Sequence, residues 1–158
     1  MNKANNDEVT PFFIACVNGH IDIVKRLLNN KRVDINQALN RDVSTLLFIA
    51  CENGYIDIVK HILGRDVNLN VNCKDYKGMT SIDIVREKGK MEVAEYWEND
   101  IEFQERKRNY GMIVELLESF ERNPNETRTK LKIELGLAGK YFYYFFFLFF
   151  FKKIILNS

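Results

Sequence analysis

Apolar residues recur at helical spacing in the middle of the chain. After Gly54, the residues Ile56, Val59, Ile62 and Leu63 follow one another at three- and four-residue steps, with polar residues on the other side. This pattern predicts an amphipathic helix that buries one face against a neighbour.

A shorter helix is predicted before it, so that one unit is a helix, a turn and a second helix. Thr45 is a suitable N-cap, and Asn53-Gly54 ends the apolar stretch that follows. Residues 66–72 then alternate polar and apolar side chains, which indicates an extended loop.

The unit is repeated along the chain. Residues 15–25 return almost unchanged as residues 50–60, which lie 35 positions later. The same spacing separates the members of two further sets, Thr10, Thr45 and Thr80, and Gly19, Gly54 and Gly89. The sequence therefore predicts an all-α solenoid over residues 5–98, with units at about 5–36, 40–72 and 75–98.

These units resemble the ankyrin repeat. The match is carried by Thr10-Pro11-Phe12, Gly19-His20 and Ile23-Val24-Lys25-Arg26-Leu27-Leu28, and by their counterparts around Thr45, Gly54 and Ile58-Val59-Lys60. The resemblance implies helix-turn-helix units with extended hairpin loops, and a noncatalytic scaffold or adaptor that binds a protein partner. The sequence departs from the family pattern where Phe13, Phe48 and Asp83 replace a structural histidine, and where Glu8 and Val43 replace a turn glycine.

The resemblance also implies which residues contact the partner, because ankyrin stacks present their loop tips and short helices on a concave face. The predicted partner-binding residues are Arg41, Asp42, Ser44, Glu52, Asn53, Tyr76, Lys77, Met79 and Glu87. Asn6, Asp7, Val17, Asn18 and Lys88 occupy matching positions. Tyr76 and Met79 are the expected anchors, since large adaptable side chains often carry interface energy. Asn18 and Asn53 also fit the role of helix-terminating residues.

A helical extension is predicted over residues 99–139. Tyr110, Ile113, Leu117 and Phe120 give residues 101–121 one apolar helix face. This helix either caps the last unit or docks into a partner's groove. A further helix is expected to start at Asn125 or Thr127, to run to Leu135 and to end at Gly136.

Residues 140–158 form an aromatic low-complexity tail. The run from Tyr141 to Phe151 is about half of the roughly 20 apolar residues that a membrane helix needs. An interfacial anchor would rest only on residues 141–156, and would make the protein a membrane-associated adaptor. A competing hypothesis is that the tail is translated noncoding sequence, since its residue types have codons rich in A and T.

Composition and candidate chemistry favour binding over catalysis. A formal net charge of +1 argues against a general nucleic-acid partner. Cys16 and Cys51 are expected to be buried, Cys73 lies in a loop, and no cysteine or histidine set has metal-ligand spacing. No catalytic residues, metal or cofactor are predicted, and His20 and His61 are expected to be structural and surface residues. The polar N-terminus favours the cytoplasm or nucleus, and a regulatory fragment of a larger protein remains an alternative.

Overall fold

The computed structural model describes residues 10–30, 34–37, 44–65, 68–90 and 100–139. Within these ranges, all regular structure is helical, which confirms the all-α prediction. The helices are α1 (Pro11–Val17), α2 (Ile21–Leu28), α3 (Leu46–Glu52), α4 (Ile56–Leu63), α5 (Ser81–Gly89), α6 (Ile101–Arg122) and α7 (Pro124–Glu134).

The first two units are stacked helix pairs. The short helix α1 packs on α2 and α3, and α4 packs on α3 and α2, so that α1, α3 and α5 form an inner row. Threonine caps begin each inner helix. The hydroxyl of Thr45 accepts a hydrogen bond from the Phe48 amide at 3.3 Å, and Thr10 caps α1 in the same way. Thr80 and Asp83 form a reciprocal capping box at α5, in which hydrogen bonds from Thr80 lower the pKa of the Asp83 carboxyl.

Burial follows the position of a residue in the stack. Ile49 and Ile58 of the second unit are 3% and 1% exposed. Their counterparts 35 positions earlier, Ile14 and Ile23, are 48% and 49% exposed. The side chains are identical, so the difference comes from stacking: a unit covers these positions on the unit that follows it.

The predicted helix over 101–121 is present as α6, and its apolar face is buried within the chain. Tyr110, Ile113, Leu117 and Phe120 are all buried. The helix packs on α5 and α4, just as α4 packs on α3 and α2. This arrangement agrees with a helix that covers the last unit, because the predicted apolar face of α6 packs against α4 and α5.

Two tyrosines show that α6 occupies the outer-helix position of a third unit. The Tyr55 hydroxyl donates a hydrogen bond to the Val17 carbonyl at 3.0 Å, and the Tyr110 hydroxyl donates to the Glu52 carbonyl at 2.9 Å. Glu52 is the repeat counterpart of Val17. The Cβ atom of Tyr110 also lies 3.7 Å from the Cβ position of Gly89, so Tyr110 packs against the C-terminal end of α5.

The end of the described chain corrects one expectation. Asn123, and not Asn125 or Thr127, caps α7, because Pro124 takes the first helical position. The helix ends at Glu134, and Gly136, the predicted terminator, follows with a positive φ. An ion pair joins α7 to the second unit, since Lys60 Nζ lies 2.6 Å from Glu134 Oε1.

Several predicted features lie outside the described residues. These are Glu8, Val43, the end of the third unit over residues 91–98, and the tail over 140–158. The division of the chain at 98 and 139 stays a prediction.

Two glycines adopt the left-handed conformation in different surroundings. Gly54 has a φ of 72°, and Gly78 has a φ of 80°. A Cβ atom at Gly54 would lie 3.0 Å from Arg106 Cγ and 3.2 Å from Tyr110 Cε1, whereas one at Gly78 would meet nothing within 4 Å. Gly89, which occupies the same repeat position as Gly54, is the last residue of α5 and has no positive φ.

We expect Gly54→Ala to lower the free energy of unfolding by more than Gly78→Ala does. Both variants should lose about 1–2 kcal/mol because a side chain disfavours the left-handed region. Gly54→Ala should lose roughly 1 kcal/mol more, since α6 must shift to admit the methyl group. Urea unfolding followed by circular dichroism measures both losses. Equal losses would contradict the packing of α6 against Gly54.

Candidate functional site

A groove of about 660 Å³ runs across the inner helices α1, α3 and α5 and is bounded by the turn at 75–79 and by α6. Seven of the nine predicted partner-binding residues line it: Ser44, Glu52, Asn53, Tyr76, Lys77, Met79 and Glu87. The other two, Arg41 and Asp42, lie outside the described residues. That these residues bind a partner stays a prediction, but the structure brings seven of them to one surface.

The turn at 75–79 is held by its own hydrogen bonds. Asp75 Oδ1 accepts from the backbone amides of Lys77 and Met79 at 2.9 and 2.8 Å, and the Asp75 amide donates to the Met79 carbonyl at 3.0 Å. Gly78 supplies the positive φ that the turn requires. The carboxylate of Asp75 therefore shapes the turn.

The turn presents Tyr76 to solvent. Its side chain is 64% exposed, although its backbone is fixed by the Asp75 hydrogen bonds. Lys77 Nζ lies 5.3 Å from the centre of the Tyr76 ring, and its hydrogen bond to Tyr76 raises the pKa of the Lys77 ammonium. Met79 is half-buried and packs against the core, so it joins the exposed tip to the groove floor.

Two of the seven residues are buried or engaged within the fold. Ser44 is only 7% exposed, so little of it is accessible. Asn53 ends α3 and donates from its amide group to the Ile49 carbonyl at 2.9 Å, which confirms the helix-terminating role expected for it. Tyr76, Lys77, Met79, Glu52 and Glu87 remain as accessible or half-buried groups around the groove.

The extension contributes residues that the sequence prediction missed. Arg106 and Tyr110 of α6 line the groove beside Glu52. Burial raises the pKa of the Tyr110 hydroxyl, which is consistent with its role as a donor to the Glu52 carbonyl. The available signal was the spacing of Tyr110, Ile113 and Val114, which repeats that of Tyr55, Ile58 and Val59.

A family model for ankyrin repeats, in three copies, matches residues 1–96, which is more than half of the chain. The chain belongs to the ankyrin repeat family. Members of this family are generally protein-protein interaction modules and are typically noncatalytic scaffolds. No curated protein matches this ankyrin repeat chain in a sequence search.

Two cysteines of this ankyrin repeat protein are core packing residues. Cys16 and Cys51 are fully buried, as predicted, and burial raises the pKa of the Cys16 thiol to about 12. Burial likewise raises the pKa of Cys51, so neither thiol ionises readily near neutral pH. Cys73 is half-buried, and burial raises the pKa of its thiol as well.

In the described part of the ankyrin repeat chain, no cluster of histidine, cysteine and acidic side chains is suited to hold a metal ion. Among the same residues, no helix has both the length and the apolar character needed to cross a bilayer. The candidate interfacial segment at 141–156 lies outside this part of the chain.

Proposed function

We propose that this ankyrin repeat protein is a noncatalytic scaffold or adaptor that binds a protein segment in the groove between the 75–79 turn and α6. The observation that carries the proposal is the placement of Tyr76, an exposed aromatic side chain on a hydrogen-bonded turn at the groove rim. Aromatic anchors of this kind are enriched among the residues that dominate binding energy.

The turn lowers the entropic cost of binding at Tyr76. Ordering a mobile loop costs free energy on association, whereas the 75–79 backbone is already fixed by Asp75 and Gly78. Met79 continues the apolar surface from Tyr76 towards the helices. A partner residue with an apolar or aromatic side chain fits against this surface, in contact with Tyr76 and Met79.

Charges of both signs surround this apolar centre. Glu52 and Glu87 contribute carboxylates, and Lys77, Lys88 and Arg106 contribute cations. Arg106 also pairs with Glu102 within α6 at 2.9 Å. A partner segment with both acidic and basic residues around an apolar centre complements this pattern, and its charges would fix the direction of binding.

The test is photo-crosslinking from inside the groove in the full-length protein expressed in cells. A photoreactive phenylalanine analogue replaces Tyr76, and in a matched control it replaces Met112. Met112 is 44% exposed and lies two residues beyond Tyr110, which places it on the opposite face of α6. Adducts specific to position 76, identified by mass spectrometry, name the partner.

A further inference from the structure

The first unit carries an apolar surface at the open end of the stack. Ile14 on α1 and Ile23 on α2 are 48% and 49% exposed, and Leu27, one turn beyond Ile23, is half-buried. We call the surface of these three side chains the first-unit face. The residues at the same positions of the second unit are at most 3% exposed, because the first unit packs on them; they are Ile49, Ile58 and Ile62.

The first-unit face differs from ordinary exposed apolar residues. Isolated apolar side chains are common on protein surfaces and need no explanation. Here, however, three of them lie at the positions that the repeat uses for stacking, as the second unit shows. The surface therefore has the shape and the chemistry to receive another apolar element of the array.

The described chain ends beside this unit. Leu137, which follows α7, lines a pocket together with Leu28 and Asn29 at the C-terminal end of α2. Leu27 lies in the same last turn of α2. The C-terminal extension thus brings the chain back to the first unit, next to the first-unit face.

The residues that come next are numerous enough and apolar enough to cover that face. Nineteen residues follow Gly139, and an extended chain of this length spans about 60 Å. A helix with its side chains is about 10–12 Å across, so the tail can pass from the end of α2 to the first-unit face. The eleven aromatic and aliphatic residues of the run over 141–151 begin only two positions beyond Gly139.

The other segments outside the described residues are poorer candidates. None of them has more than two consecutive apolar residues, whereas the tail has eleven. Residues 1–9 are mostly polar, and Asn6 and Asp7 correspond to a loop position of the repeat. Composition therefore favours the tail as the segment that meets an apolar surface.

We propose that the tail over residues 141–151 packs on the first-unit face and closes the open end of the array. Burial of apolar surface favours this contact from both sides, and a run of this composition left in water would promote aggregation. The tail can leave the face while the units stay stacked, so a charge at Ile14 or Ile23 releases the tail without unfolding the array. The contact is separate from the partner groove, which none of the three face residues lines.

Photo-crosslinking within the purified full-length protein tests this contact. A photoreactive phenylalanine analogue replaces Ile23, and mass spectrometry of the digested protein maps its adduct. We expect an adduct that joins position 23 to residues 141–151 of the same chain. Irradiation of an equal mixture of isotope-labelled and unlabelled chains separates adducts within one chain from adducts between two. Met112 on α6, which is 44% exposed, is the matched control position and should give no adduct with the tail.

Two further variants carry the analogue at position 23 together with a charge on one side of the contact. Ile14→Asp should lower the yield of the tail adduct about threefold or more, because apolar burial on the face is lost. Leu148→Asp should lower that yield to a similar extent, and it changes no residue of the repeat units. Circular dichroism checks that both variants remain folded.

Several results would overturn the proposal. An adduct from position 23 to residues 1–9 would make the N-terminal segment the cover, and adducts between labelled and unlabelled chains would make it a second copy. No adduct at position 23, or equal tail adducts at positions 23 and 112, would mean that the tail does not occupy this face. An unchanged yield in both charged variants would contradict an apolar contact.

Discussion

Replacing Ile58 with aspartate is expected to unfold the ankyrin array, whereas the same replacement at Ile23 is expected to cost little. Ile58 is 1% exposed and Ile23 is 49% exposed, although they occupy the same place in successive units. Aspartate at position 58 removes a buried apolar side chain and places an ionisable group in the core. The loss should be about 4 kcal/mol or more, which is a large share of the stability of a small domain.

Ile23→Asp should change the free energy of unfolding by about 1 kcal/mol or less, since the new carboxylate remains in contact with water. Urea unfolding of the two variants, followed by circular dichroism, compares them directly. Similar losses would contradict the stacking order, because they would mean that Ile23 is covered as completely as Ile58.

Tyr76→Ala is expected to reduce affinity for the partner by about 2 kcal/mol, or roughly 30-fold, as for an aromatic anchor at an interface. The free energy of unfolding should barely change, because the Tyr76 side chain is mostly exposed. Titration of the captured partner against the parent and the variant measures the effect. Met112→Ala, on the far side of α6, serves as the control.

An unchanged affinity in Tyr76→Ala would remove Tyr76 from the interface. A loss of equal size in Met112→Ala would show that the partner contacts a different face of α6. Only a loss confined to Tyr76 agrees with binding in the groove.

The repeat spacing of the sequence predicts most of the fold because the stacking contacts repeat with it. Thr45 caps α3, Gly54 turns the chain, and Cys16 and Cys51 are buried at equivalent positions. Each of these features depends on residues close in sequence or on the same position in the next unit. The caps, turns and buried positions of the repeat units can therefore be predicted from the sequence of one unit and the repeat spacing.

The position of α6 could not be predicted in this way. Tyr110 lies 55 residues after Tyr55 instead of 35, so a search at the repeat spacing places Lys90 where the structure has Tyr110. The start of α7 was predicted incorrectly for a local reason. Pro124 favours the first helical position and therefore makes Asn123 the cap.

The candidate site likewise has features that the repeat predicts and features that it does not. The register of the repeat predicts which residues share the groove, but it does not predict how deeply each is buried. Ser44 proves to be buried, and Asn53 uses its side-chain amide to end α3. Arg106 enters the groove from the extension, more than 50 residues along the chain from Glu52. Contacts of that range depend on tertiary packing.

The most direct test of the central claim is the crosslinking comparison between positions 76 and 112 in the full-length protein. The groove proposal predicts a protein adduct at position 76 that is absent or much weaker at position 112. It also predicts that Glu87→Ala, within the same groove, reduces the yield of that adduct. Equal adducts at both positions, or a partner captured only from position 112, would contradict binding in the groove.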